Sequence, residues 1–170
     1  MFNRIRLRFR DMRTVSKLIA GADKQASLLG EERPGAEHFV LSALNLEDGT
    51  AKRAFERLGA DSGKFQAAVE KQYSEALSHI GMDPPSLDIQ PEPIETTKTF
   101  QESQASGQVL MKKLFALKQQ DKQHPLLGAH VLCAVADMQH GVVSRAFRVM
   151  GIKPEQLIRC AREEIHGDLT

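Results

Sequence analysis

The stretch Gly49–Gly59, GTAKRAFERLG, is written a second time at Gly141–Gly151 as GVVSRAFRVMG. Both copies keep Arg-Ala-Phe, and both close on glycine after a long apolar residue. The offset of 92 also pairs His38 with His130, Arg53 with Arg145, Phe55 with Phe147 and Gly59 with Gly151. One gapless register from His38 to Gly59 points to an internal duplication. The quoted phrase then reads as the third helix of a unit used twice, with Phe55 and Phe147 as equivalent core rings and Gly59 and Gly151 as helix stops.

Outward from that phrase the chain reads as helices. From Thr14 the apolar positions Val15, Leu18, Ile19, Ala22, Ala26 and Leu29 form a one-sided helix that Gly30 stops. A second helix is expected from about Ala36 to Leu46, with Phe39, Val40, Ala43 and Leu44 inward. Thr50 can cap the third, and Asp61 or Ser62 a fourth that closes at Gly81. Residues 82–99, MDPPSLDIQPEPIETTKT, then hold four prolines and read as a linker. Beyond it come a long helix through Val109, Leu110, Leu114 and Leu117, a short apolar one over Leu126–Ala136, the echoed helix, and a last one opened by Pro154. The expected fold is all-α: a tandem repeat of two four-helix units, 14–81 and 100–168, joined by the linker and preceded by a basic leader at 1–13. Only RIRLRFR at residues 4–10 alternates with the period of a strand.

Composition limits the function classes. With 170 residues, 41% apolar, 26% charged and a net charge of +1, the chain is an ordinary globular protein without a global field for nucleic acid or membrane. No apolar run approaches the ~20 residues that span a bilayer, and the N-terminus lacks the apolar core of a signal peptide. Cys133 and Cys160 are expected as two buried, reduced thiols, so the expected location is the cytoplasm. There is no Trp and one Tyr, a thin supply of rings for stacking on bases.

Candidate chemistry is sparse. Gly59–Phe65, GADSGKF, has three residues between its glycines where a P-loop has four, and Phe where it has Ser or Thr; ATP binding is not expected. His130 and Cys133 are spaced for a shared metal, but two ligands make no site, and the repetition of His38 at His130 favours a helix-start or packing role. No base-orienting pattern surrounds either cysteine, so neither catalysis nor any cofactor is expected. Arg53 and Arg145 are expected to cover their repeat's edge and pair with a carboxylate.

Gly35-Ala36-Glu37-His38-Phe39-Val40-Leu41, followed by GTAKRAFERLGAD at 49–61, resembles the N-terminal repeat of the Clp unfoldases. That repeat carries a Gly-Thr-Glu-His-Leu-Leu-Leu-like segment and a small-residue helix ending in Leu-Gly-Val/Ala-Asp. The opening Met1-Phe2-Asn3-Arg4 resembles the start of ClpC-type chains. The second copy, Leu127-Gly128-Ala129-His130, keeps the histidine and has alanine where the family has glutamate. The resemblance implies a non-catalytic all-helical module, here free-standing and monomeric, that binds client or adaptor proteins and works beside a Clp AAA+ ATPase. It further implies that Glu37 faces a groove and accepts the guanidinium of phosphoarginine, a role Ala129 cannot fill. The alternative for Glu37 is a plain carboxylate favoured by the helix dipole. The rival class for the whole chain is a helical protein whose basic arm, residues 4–13, binds nucleic acid or an anionic membrane surface.

Overall fold

The computed structural model describes residues 2–79 and 104–167; the proline-rich segment 82–99 lies outside them. The described residues form eight helices and no strand: α1 Phe2–Leu28, α2 Ala36–Leu44, α3 Thr50–Arg57, α4 Ser62–His79, α5 Ala105–Gln120, α6 Gly128–Ala136, α7 Val142–Val149 and α8 Pro154–Gly167.

The repeated phrase is α3 with its stop, and α7 with its stop. Gly59 and Gly151 adopt φ of 67° and 70°, a left-handed conformation that a Cβ would strain. They close matching Schellman caps. The amide of Gly59 donates to the Glu56 carbonyl and that of Ala60 to Phe55, both at 2.9 Å; Gly151 and Ile152 do the same to Arg148 and Phe147 at 3.1 and 2.9 Å. The glycine that ends each copy is therefore required by the backbone.

The sequence division at 82–99 is not a division in space. The fourth helix of each repeat packs on the third helix of the other, α8 on α3 and α4 on α7, while α2 and α6 pack on each other. One apolar cluster runs through both repeats. Phe55 and Phe147 meet near its centre with ring centroids 6.2 Å apart, and Phe65 touches both at 5.9 and 5.4 Å. Every residue of α2 is buried, Glu37 and Ser42 included, because the helix is covered by its own repeat and by the other. The inward stripe expected for this helix is thus a helix with no outward face.

Gly128 belongs to the same crossing. A Cβ there would lie 2.9 Å from the Ala43 carbonyl oxygen and 3.1 Å from the Ala51 methyl, so α6 comes this close to the first repeat only with glycine at its first turn.

Two expectations are corrected. The first helix does not begin near Thr14 after a separate basic leader: α1 is continuous from Phe2 and takes in the alternating segment 4–10. Arg, Leu and Met are strong helix formers, which lets the helix run through the basic segment. Asp11 holds this end of α1 on the second repeat, accepting the Leu126 amide at 2.7 Å and lying 3.3 Å from Lys118. Thr50 does not cap α3, whose N-cap is Gly49. Its hydroxyl oxygen instead accepts the Ala129 amide at 2.9 Å, while Asp48 accepts the Gly128 amide at 3.1 Å, so the first repeat caps α6 of the second. In return the Ser106 hydroxyl of α5 accepts the Ala36 amide, 3.2 Å away, at the start of α2.

Candidate functional site

The equivalent histidines open equivalent helices. Nδ1 of His38 accepts the Gly35 amide at 2.8 Å, and Nδ1 of His130 accepts the Leu127 amide at 3.1 Å. Each ring does what glutamate or glutamine does at the third position of a capping box. An Nδ1 that accepts leaves the proton of the neutral ring on Nε2. Both Nε2 atoms are buried, and neither has a hydrogen-bond partner among the described residues. Burial lowers the His38 pKa to about 4. It lowers that of His130 as well, against the opposing pull of Asp121, whose carboxylate lies 3.6 Å from Nε2.

Next to these histidines the repeats part. Glu37 is only 2% exposed, and the Tyr73 hydroxyl of α4 donates to its carboxylate. Burial first, then the neighbouring Glu37 charge, raise the Tyr73 pKa far above its usual value. The groove expected at Glu37 is filled by this pair, and a guanidinium would have to displace the phenol to reach the carboxylate. At the positions related by 92 residues stand Ala129 and Ile165, both buried and apolar.

Between the repeats the arginines form reciprocal bridges. Nε of Arg53 donates to Glu164 at 2.6 Å, and Nε of Arg145 donates to Gln72 at 2.8 Å. Since 53 and 145, and 72 and 164, differ by the same 92, residue i meets j of the other repeat and the converse holds, as in a two-fold interface. The first-repeat side is reinforced: Nε of Arg57 also donates to Glu164, at 2.5 Å. Burial raises the Glu164 pKa, but the hydrogen bonds and charges of the two arginines outweigh it and hold the carboxyl below its usual value. The counterpart of Arg57 is Val149, 74% exposed.

Other candidates resolve structurally. Gly59–Phe65 is where α3 stops and α4 starts, with Asp61 accepting the Gly63 amide at 2.6 Å. Cys133 and Cys160 are unbridged, and burial raises the Cys133 thiol to about 11, so it stays protonated at neutral pH. Among the described residues no three His, Cys, Asp or Glu side chains converge as metal ligands, and no helix is long and apolar enough to cross a membrane.

A cavity of about 440 Å³ borders Asp121, His130 and Cys133, and a second open surface lies at α1. A cleft of about 460 Å³ lies between α1 and α5, lined by Leu7, Arg8 and Asp11 on one side and Phe115, Lys118 and Lys122 on the other. Phe115 is 42% exposed there. Lys118 is held in place by donating to the carbonyls of Asp121 at 2.8 Å and His124 at 2.7 Å. An apolar floor with cations at its edge suits a polypeptide that offers apolar and acidic side chains. Nothing in the composition marks this cleft, since it exists only because the basic segment is helical and sets Leu7, Arg8 and Asp11 opposite Phe115 and Lys118.

These features define an all-helical, two-repeat module, and the fold is that of the Clp N-terminal domain. The chain is similar to the Hsp104 N-terminal domain from Candida albicans, with a TM-score of 0.59 and 19% identity over 86% of this chain and 85% of that one. It is similar to the N-terminal domain of the caseinolytic protease associated chaperone ClpD from Arabidopsis thaliana, with a TM-score of 0.60 and 15% identity over 92% of each chain. No family model and no curated protein sequence matches it.

Proposed function

We propose that this protein is a non-catalytic protein-binding module that receives client or adaptor proteins for a Clp-type unfoldase in the cytoplasm. The observation that carries the reading is the fold shared with N-terminal domains of two chaperones over most of the chain. Helix capping by the Nδ1 atoms of the two histidines, the protonated thiol and the arginine bridges between the repeats are structural roles, which is consistent with a binding module. The cleft between α1 and α5 is the proposed client site, with Phe115 as its apolar anchor and Arg8 and Lys122 as its cations. The reading calls for no nucleotide, metal or cofactor.

Fluorescently labelled, permanently unfolded casein is a suitable probe. Phe115→Ser should raise the midpoint of the binding titration at least fivefold with the circular dichroism of the folded helices unchanged, since the residue is 42% exposed. Equal binding by wild type and variant would place the client elsewhere, and no binding by either would remove the reading. Co-purification of an AAA+ unfoldase with the wild-type protein from its native extract tests the proposed partner.

A further inference from the structure

Among the described residues, the first turns of α1 have no helical counterpart in the second repeat. The helix α5 begins at Ala105, whose partner at the 92-residue offset is Arg13, so residues 2–12 extend α1 beyond the repeated unit. One side of this extension serves the fold, with Leu7 and Asp11 facing α5 and Asp11 bonded to the second repeat. The opposite side is open among the described residues. Ile5, Phe9 and Met12 stand there 50%, 68% and 67% exposed. At roughly 100° per residue these three fall within a stripe about 60° wide, following the i, i+4, i+7 pattern of a helix that buries one face.

Cations flank the stripe on both sides. Arg6 and Arg13 lie on one flank and Arg8 on the other, with Arg10 farther round, and all four are exposed. Asp11, the one acidic residue of the segment, is turned away and consumed by Lys118 and the Leu126 amide. The outward face is therefore apolar along its crest and positive along both edges. The described body lies behind the opposite face of the same helix, where Leu7 and Asp11 meet the second repeat.

We infer that the outer face of α1 is a docking surface for an anionic lipid bilayer. The bilayer is the complement that matches every feature: it is planar, uniformly negative at the headgroups and apolar directly beneath. Ile5, Phe9 and Met12 enter the headgroup–acyl boundary while the arginines extend sideways to the phosphates. A second copy of this chain would bring arginine against arginine. Single-stranded nucleic acid calls for a row of stacking rings, and the stripe holds one. The cleft lies toward α5 and shares only Arg8 with this face, so the apolar stripe of Ile5, Phe9 and Met12 tests the inference separately from client binding.

The chain contains no Trp, so Phe9→Trp introduces a single reporter on an exposed position. Its emission should shift to the blue with phosphatidylglycerol vesicles and remain unchanged with phosphatidylcholine vesicles. Val149→Trp, equally exposed on another face, should not respond to either. In the Phe9→Trp background, Ile5→Ser with Met12→Ser should weaken vesicle binding at least tenfold. Arg6→Gln with Arg8→Gln and Arg13→Gln should do the same, and so should raising the salt. All these sites are exposed, so circular dichroism should be unchanged. No shift with phosphatidylglycerol overturns the inference. So do an equal shift with phosphatidylcholine, an equal response at Val149→Trp, and displacement from the vesicles by duplex DNA at equal phosphate concentration.

Discussion

The starts of α2 and α6 are the same device in two settings. Both helices begin with a buried histidine whose Nδ1 takes the amide three residues back. Beside it the first repeat keeps a carboxylate and a phenol, Glu37 and Tyr73, while the second has Ala129 and Ile165. The backbone task was retained in both copies because it is local and a helix start must be satisfied wherever it is buried. The side-chain pair that joins the second helix to the fourth could change as a unit, polar to apolar, because either version leaves no buried group unmatched. The lesson is that duplication preserved what closes within a few residues and let long-range pairs diverge together.

The largest expected effect tests whether the repeats are one body. Phe55→Ala and Phe147→Ala should each cost about 3–5 kcal/mol, and each should lower a single cooperative unfolding transition. Phe55 and Phe147 lie in one three-ring cluster, so the double variant should depart from additivity. Two separate calorimetric transitions in either variant would show that the repeats melt independently, against the shared core.

Acid should come next. The His38 pKa is about 4 in the folded chain against 6.5 for an ordinary histidine. Between those values the unfolded chain binds the proton and the folded one does not, so stability is complete above pH 6.5 and falls as pH drops toward 4. The full loss from this residue is about 3 kcal/mol. Denaturant titrations from pH 7.5 to 4.5 should show it, and His38→Gln, which keeps an acceptor for the Gly35 amide, should flatten the pH profile. An unchanged slope in that variant would assign the acid sensitivity to other groups.

The smallest effect sharpens the difference between the repeats. Glu37→Ala strands the Tyr73 hydroxyl and should cost about 1–3 kcal/mol. Copying the second repeat outright, Glu37→Ala with Tyr73→Ile, should cost less than the two single changes combined. Titration with a phosphoarginine peptide separates the two roles considered for Glu37. A structural pair predicts no saturable binding to wild type, whereas one site per chain that Glu37→Ala removes would make the carboxylate a ligand group.

Much of the architecture was legible beforehand. The offset of 92, the glycine stops at Gly59 and Gly151, and the proline start of α8 all act over a few residues, so periodicity and cap chemistry suffice to read them. The segment 1–13 misled because its alternating arginines break the apolar period of the helix that follows and so read as a leader, whereas α1 is continuous through it from Phe2. Thr50 misled in a different way: its hydroxyl is at a helix start, but the amide it serves belongs to Ala129. Tyr73, the partner of Glu37, carried no signal, being one polar ring in an amphipathic pattern.

Taken alone, the sequence determined that the chain is helical, that a unit of four helices occurs twice, and where most helices stop, because each of those properties is set by neighbours within about one or two turns. The tertiary structure decided what covers each apolar face. It sent α8 to α3 and α4 to α7, buried Glu37 under Tyr73, let Gly128 close the crossing of α2 and α6, and left the outer stripe of α1 bare. The physical reason is that an i, i+4 pattern specifies which side of a helix shuns water and is silent about which surface, many residues away, will shield it.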